Sequence, residues 1–145
     1  MKKSYRTLEF SFIQDYIKNY CFSEMAKKRI DQIQPFQDID DLKLYQDDIS
    51  SAMKIIYAYG RIPLAPYEDI KEILQKAQKG GVCYPQDLLK IVQILKNVQE
   101  VQAYLDQEIE QSHLLEILSL LYLPKDLYNE ILKCVDPSGN IYDHA

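Results

Sequence analysis

This 145-residue sequence predicts an all-α fold, and three observations carry the prediction. Residues that cap and open helices recur roughly every ten to twenty positions. Between them, apolar side chains repeat at spacings of three and four, the period of one helix face. Alternating apolar and polar runs of the kind a half-buried strand requires are almost absent. A chain of this length buries enough surface for one core, and its 47% hydrophobic and 27% charged residues lie far from the composition of disordered chains. No internal repeat or change of composition divides it, so residues 1–145 read as a single helical domain.

Seven helices are expected. The first opens at Ser11, with Gln14 reaching back as a capping box and Ile13, Tyr16, Ile17 and Tyr20 on one face. Ser23 caps the second, which carries Ala26, Ile30 and Ile33 and stops before Pro35. Asp38 opens the third, with Asp40 and Asp41 at its positive end; Leu42, Tyr45, Ile49, Met53 and Ile56 form its stripe, and Gly60 ends it. Pro66 suits the first position of a fourth, with Glu68 and Asp69 in the first turn, Ile70, Ile73, Leu74 and Ala77 facing inward, and Gly80 closing it in the left-handed conformation.

The fifth is the long one, from about Pro85 to Glu108, with Ile91, Leu95, Val98, Val101 and Leu105 in register and no Gly or Pro within it. It reads as the spine of the domain. Ser112 caps the sixth, over the apolar segment Leu114 to Leu123, which reads as a buried core helix. Pro124 separates it from the seventh, where Leu127, Ile131 and Val135 align. Asp136-Pro137-Ser138-Gly139 then has the residues of a type I turn.

Charge and cysteine content narrow the function. Seventeen basic and 22 acidic side chains leave a net charge of −5, a field that repels phosphate unless cations cluster. The one cluster is Lys27-Lys28-Arg29, the candidate nucleic-acid contact; a solvated helix face is the plainer explanation. Met1 to Arg6 has the charge of a signal peptide, but Glu9, Ser11 and Gln14 break the apolar run that should follow. No segment has the length for a bilayer crossing. Three widely spaced cysteines, Cys21, Cys83 and Cys134, suggest neither disulfides nor zinc, so a cytoplasmic location is expected.

Catalytic signatures are missing. Glycines at 60, 80, 81 and 139 cannot form a phosphate-gripping loop, and neither a serine-nucleophile elbow nor a His-Glu-x-x-His helix is present. His113 and His144 have no second ligand at metal spacing, and Asp38, Asp40, Asp41, Glu108 and Glu110 sit at expected helix ends. No catalytic, cofactor or metal site is therefore expected, and the chain alone should not bind ATP. Twelve tyrosines invite base stacking, but Tyr16, Tyr20, Tyr45, Tyr104 and Tyr128 fall on or beside apolar stripes where packing accounts for them.

An ordered series of fragments nonetheless resembles a known family. Thr7-Leu8-Glu9-Phe10 with Ile13, then Ser23-Glu24-Met25-Ala26-Lys27, is similar to the start of MutS-II proteins, bacterial relatives of the mismatch-repair ATPase. Pro35, Pro63-Leu64, Asp69-Ile70, Ala77 with Gly80-Gly81, Leu88-Leu89, and Asp136, Gly139, Ile141, Asp143 and Ala145 follow in the same order. Tyr59 to Tyr67 departs from the family in having less glycine around Pro63-Leu64.

The resemblance implies the N-terminal part of a helical core or lever region, with no catalysis of its own. It also implies a reading frame that continues past Ala145 into a long charged helix, a clamp, an ATPase domain using ATP and Mg, and often an Smr nuclease domain. Family roles are binding of branched DNA, restraint of recombination and action on collided ribosomes, through a parent expected to be a homodimer. A free-standing helical adaptor that binds another protein is the alternative reading.

Overall fold

A computed structural model describes residues 9–107 and 109–142. Helices cover 63% of these, with no sheet, so the fold is all-α. The described residues form seven helices: α1 (Phe10–Lys18), α2 (Glu24–Asp31), α3 (Ile39–Tyr59), α4 (Lys71–Gln78), α5 (Pro85–Leu105), α6 (His113–Ser119) and α7 (Lys125–Cys134). By internal contacts the chain falls into two compact units, one comprising the residues up to Pro35 together with Pro66–Asp69, the other Phe36–Ala65 with the residues from Ile70 onward.

In the first unit α1 packs on α2. The Gln14 amide donates to the Ile30 carbonyl at 2.7 Å, and Lys18 pairs with Asp31, whose carboxylate raises the lysine pKa. The start of α1 corrects the expected cap. Glu9, at φ 51°, occupies the N-cap in the left-handed region, so Ser11 lies inside the helix and Gln14 is spent on the neighbouring helix rather than on a capping box. Ser23 caps α2 as its sequence predicts, its buried hydroxyl accepting from the Ala26 N–H at 3.1 Å.

The second unit is organised by α5, 21 residues and about 32 Å long. Leu95, Val101 and Tyr104 on it are buried, with Val101 only 1% exposed, and Ile55 of α3, Leu123, Ile131 of α7 and Val135 complete the buried apolar set. Three polar side chains of α5 reach into the connectors. Asn97 Nδ2 donates to the Pro63 carbonyl at 2.5 Å, Gln102 Nε2 to Leu121 at 2.9 Å, and the Tyr104 hydroxyl to Gly60 at 2.8 Å. Connectors lack a backbone ladder of their own, so these bonds give their carbonyls partners within the protein.

Several boundaries and faces differ from expectation. Pro66 to Asp69 is not helical; α4 begins at Lys71, because that segment groups with the first unit and tertiary contacts override the local signal. α4 closes as expected: Gly80 at φ 75° donates to Ala77 and Gly81 to Lys76, a Schellman arrangement. α5 ends at Leu105, short of the expected limit at Glu108, which itself lies outside the described residues.

α6 is not a buried core helix. It stops at Ser119, whose hydroxyl bonds the Glu116 carbonyl, and Leu120 and Tyr122 beyond it are each 80% exposed. The greatest change of face is on α3. Its buried side runs through Ile55 with Ser51 and Ala52 half-buried, leaving the expected core residues Tyr45, Ile49, Met53 and Ile56 on the outside. Tyr16 and Tyr20 are exposed too, their hydroxyls 2.9 Å apart, so Tyr104 is the buried tyrosine among the five named from the sequence.

The Asp136 turn forms as its residues dictate. Gly139, at φ 86°, donates to the Asp136 carbonyl, Val135 and Ile141 form an isolated antiparallel bridge, and the Asp136 carboxylate accepts from the Ser138 and Asn140 N–H groups at 2.8 and 2.9 Å.

Two predictions follow from these contacts. Tyr104→Phe removes the hydroxyl and its bond to Gly60, so urea denaturation should register a loss of about 1 kcal/mol; an unchanged midpoint would mean the bond contributes nothing. The N–H groups of Asn140 and its neighbours hold the Asp136 carboxyl below its ordinary value. A carboxyl lowered in the folded state adds stability that is present above the usual carboxylate range and is lost as pH falls through the lowered value. Its NMR titration midpoint should fall below 3.8, the unperturbed value, and a midpoint at or above that figure contradicts the assignment.

Candidate nucleic-acid interface

The basic cluster sits on the C-terminal half of α2. Ser23 fixes where that helix begins, and Glu24 in its first turn places Lys27 one turn later on the same side. Lys27 Nζ lies 2.6 Å from Glu24 Oε1, a pairing that lowers the Glu24 pKa. Lys28 and Arg29 are exposed in the last turn, where two positive charges complement the negative end of the helix dipole.

Local charge limits what this surface can hold. Over α1 and α2 the basic residues are Lys18, Lys27, Lys28 and Arg29, and the acidic ones Asp15, Glu24 and Asp31, four against three. Lys18 is engaged by Asp15 and Asp31, and Lys27 by Glu24. Two solvent-facing cations remain, enough for a phosphate contact or two and a correspondingly shallow salt dependence.

The other sequence candidates have ordinary surroundings. His113 Nδ1 lies 3.0 Å from both carboxylate oxygens of Asp48, tying the start of α6 to α3. His144 lies outside the described residues. Asp38 caps α3 by accepting from the Asp40 N–H at 2.7 Å, and Glu110 stands 3.9 Å from Lys54. All three cysteines are free thiols, and among the described residues no three His, Cys, Asp or Glu side chains gather to hold a metal. No helix among them is long and apolar enough to cross a membrane.

One feature escapes the sequence reading: a cleft of about 280 Å³ between α3 and the segment leading into α6, lined by Ser51, Lys54, Ile55, Tyr59, Glu110 and Ser112. Its floor is the face of α3 that carries Ser51, Ile55 and Ala58. Small residues there signal close approach by a neighbour, and the stronger apolar stripe beside them masks that signal.

No protein-family model matches the chain. Curated relatives do. It is 31% identical over 153 residues to an endonuclease MutS2 of Halothermothrix orenii, and 30% identical over 147 residues to the endonuclease MutS2 of Clostridium botulinum strain Alaska E43. A Bacillus velezensis endonuclease MutS2 is 26% identical over 152 residues. The chain matches an N-terminal region of a MutS-II family protein. In each case 99% of this chain is aligned, and it spans 19%, about a fifth, of the relative's length.

Reversal of charge tests the cluster. Lys28→Glu with Arg29→Glu is expected to abolish whatever weak, salt-sensitive binding to branched DNA the chain has, with helicity by circular dichroism unchanged. Sub-micromolar binding at physiological salt that survives the double substitution would move the contact elsewhere.

Proposed function

We propose that this chain is the non-catalytic N-terminal lever domain of a MutS-II-type DNA-binding ATPase, serving to carry movement between a nucleotide-driven engine and a clamp. The observation that carries the reading is the alignment itself: relatives called endonucleases match across all of this chain with only a fifth of their own length. The endonuclease activity for which those proteins are named need not reside in the fifth of their length that this chain matches. The carboxylates support the same view, since Asp38 caps a helix, Asp48 holds His113 and Asp136 closes a turn.

In this reading ATP and Mg bind the parent outside this chain. Branched DNA or a collided ribosome is reached through the whole protein, which acts as a cytoplasmic homodimer and restrains recombination. Lys28 and Arg29 then add at most a supplementary phosphate contact. A lever has two states to transmit only when coupled to a switch that has two states, which is why the ATPase belongs in the proposal.

The test is the source gene downstream of Ala145. It should continue into a long charged helix and, after a strand, a Gly-x-x-x-x-Gly-Lys-Ser/Thr loop. A stop codon directly after Ala145 would overturn the reading in favour of a free-standing adaptor. So would saturable micromolar ATP binding by the isolated chain, measured by calorimetry.

A further inference from the structure

In the second unit α3, α5 and α7 each bury at least one side chain, and α6 buries none. Leu114, Leu115 and Leu118 are half-buried, while Ile117 and, just beyond the helix, Leu120 face solvent. At seven residues α6 makes about two turns, too short to persist as a helix once detached from its neighbours. Its hold on the rest of the unit is therefore set by what grips its ends.

The two ends are gripped unequally. Beyond the C-terminal end Leu123 is buried, and the Leu121 carbonyl accepts from Gln102 of α5 at 2.9 Å. At the start the tie is the His113 ring, 3.0 Å from both carboxylate oxygens of Asp48, with the two side chains 42% and 22% exposed. Polar pairs so open to water hold weakly. A short segment anchored by a buried side chain at one end and by such a pair at the other opens at the second.

That second end is where the cleft lies. Ser112, next to His113, lines it with Ile109, Glu110 and Gln111, and Ser51, one turn along α3 from Asp48, stands on the facing wall. Lys54 and Glu110 approach across it to 3.9 Å, and both are largely exposed, so this second tie is weak as well. We propose that α6 is a lid on the cleft, latched by His113 to Asp48 and hinged at Leu121–Leu123. Opening widens the cleft along α3 and gives water access to Ile55 on its floor. The device holds with or without the lever reading, because every residue in it belongs to this chain.

Hydrogen exchange on the 145-residue chain, followed amide by amide by NMR, tests the lid. The Glu116 N–H, bonded to the Ser112 carbonyl at 3.0 Å, reports on α6, and the Val101 N–H reports on the core. After correction for intrinsic rates Glu116 should exchange at least about tenfold faster than Val101, since a local opening costs less than unfolding the unit. Asp48→Ala should speed Glu116 by a further factor of about two to five, the range expected of an exposed pair, and leave Val101 unchanged. His113→Ala should match it, and the two substitutions together should do no more than either alone. Equal rates for Glu116 and Val101 overturn the proposal, because α6 would then open only with the core. An Asp48→Ala variant whose Glu116 rate is unchanged also overturns it, since the latch would lie elsewhere. So does one in which both amides speed up alike, which would make the pair part of the core.

Discussion

Everything in the larger unit hangs on one helix whose side chains do two jobs. α5 buries Leu95 and Val101 against its neighbours, and from the same cylinder Asn97, Gln102 and Tyr104 take the carbonyls of Pro63, Leu121 and Gly60. An all-α fold has a specific difficulty at its connectors, where the chain leaves the helical ladder and its carbonyls lose their partners. Meeting three of them from one rigid element fixes the ends of α3 and α6 and the path of the chain beyond Gly60. Burial raises the cost of failure, because the desolvation that pushes the Tyr104 pKa up also makes an unpaired hydroxyl there expensive.

How much of this the residues announce depends on whether the deciding interaction is local. Ser23, Asp38, Ser112 and the Gly80-Gly81 close were all readable, because a cap is settled within four residues of itself. So was the long uninterrupted α5. Misreadings arose where a distant partner decides. Gln14 could have served a capping box but bonds Ile30 sixteen residues away, and Pro66 could have opened a helix but sits in a segment that groups with the first unit. Periodicity identified an apolar face on α3 without revealing that its other face, built from Ser51, Ala52 and Ile55, is the one that packs.

The candidate site was legible in position and not in strength. Lys27-Lys28-Arg29 is a visible run, and the structure sets its residues on one helix as expected. What a run of letters does not show is the pairing: Glu24, one turn before, already claims Lys27, and Asp31 claims a lysine from α1. The reading of electrostatics from sequence therefore overcounts free charge wherever helices carry acids and bases three residues apart.

The restraints on α3 have a mechanical meaning. They occupy its C-terminal half, from the middle, where Asp48 grips His113, through buried Ile55 to Gly60, which is fastened to Tyr104, while Asp38 stands at the other end of the 21-residue rod. A rod clamped in this way behaves as a cantilever. With about 15 Å of rod between Asp48 and Asp38, each degree of tilt at the clamp displaces the Asp38 end by roughly a quarter of an ångström. Angular change too small to disturb the packing around α5 is thereby converted into travel at the tip.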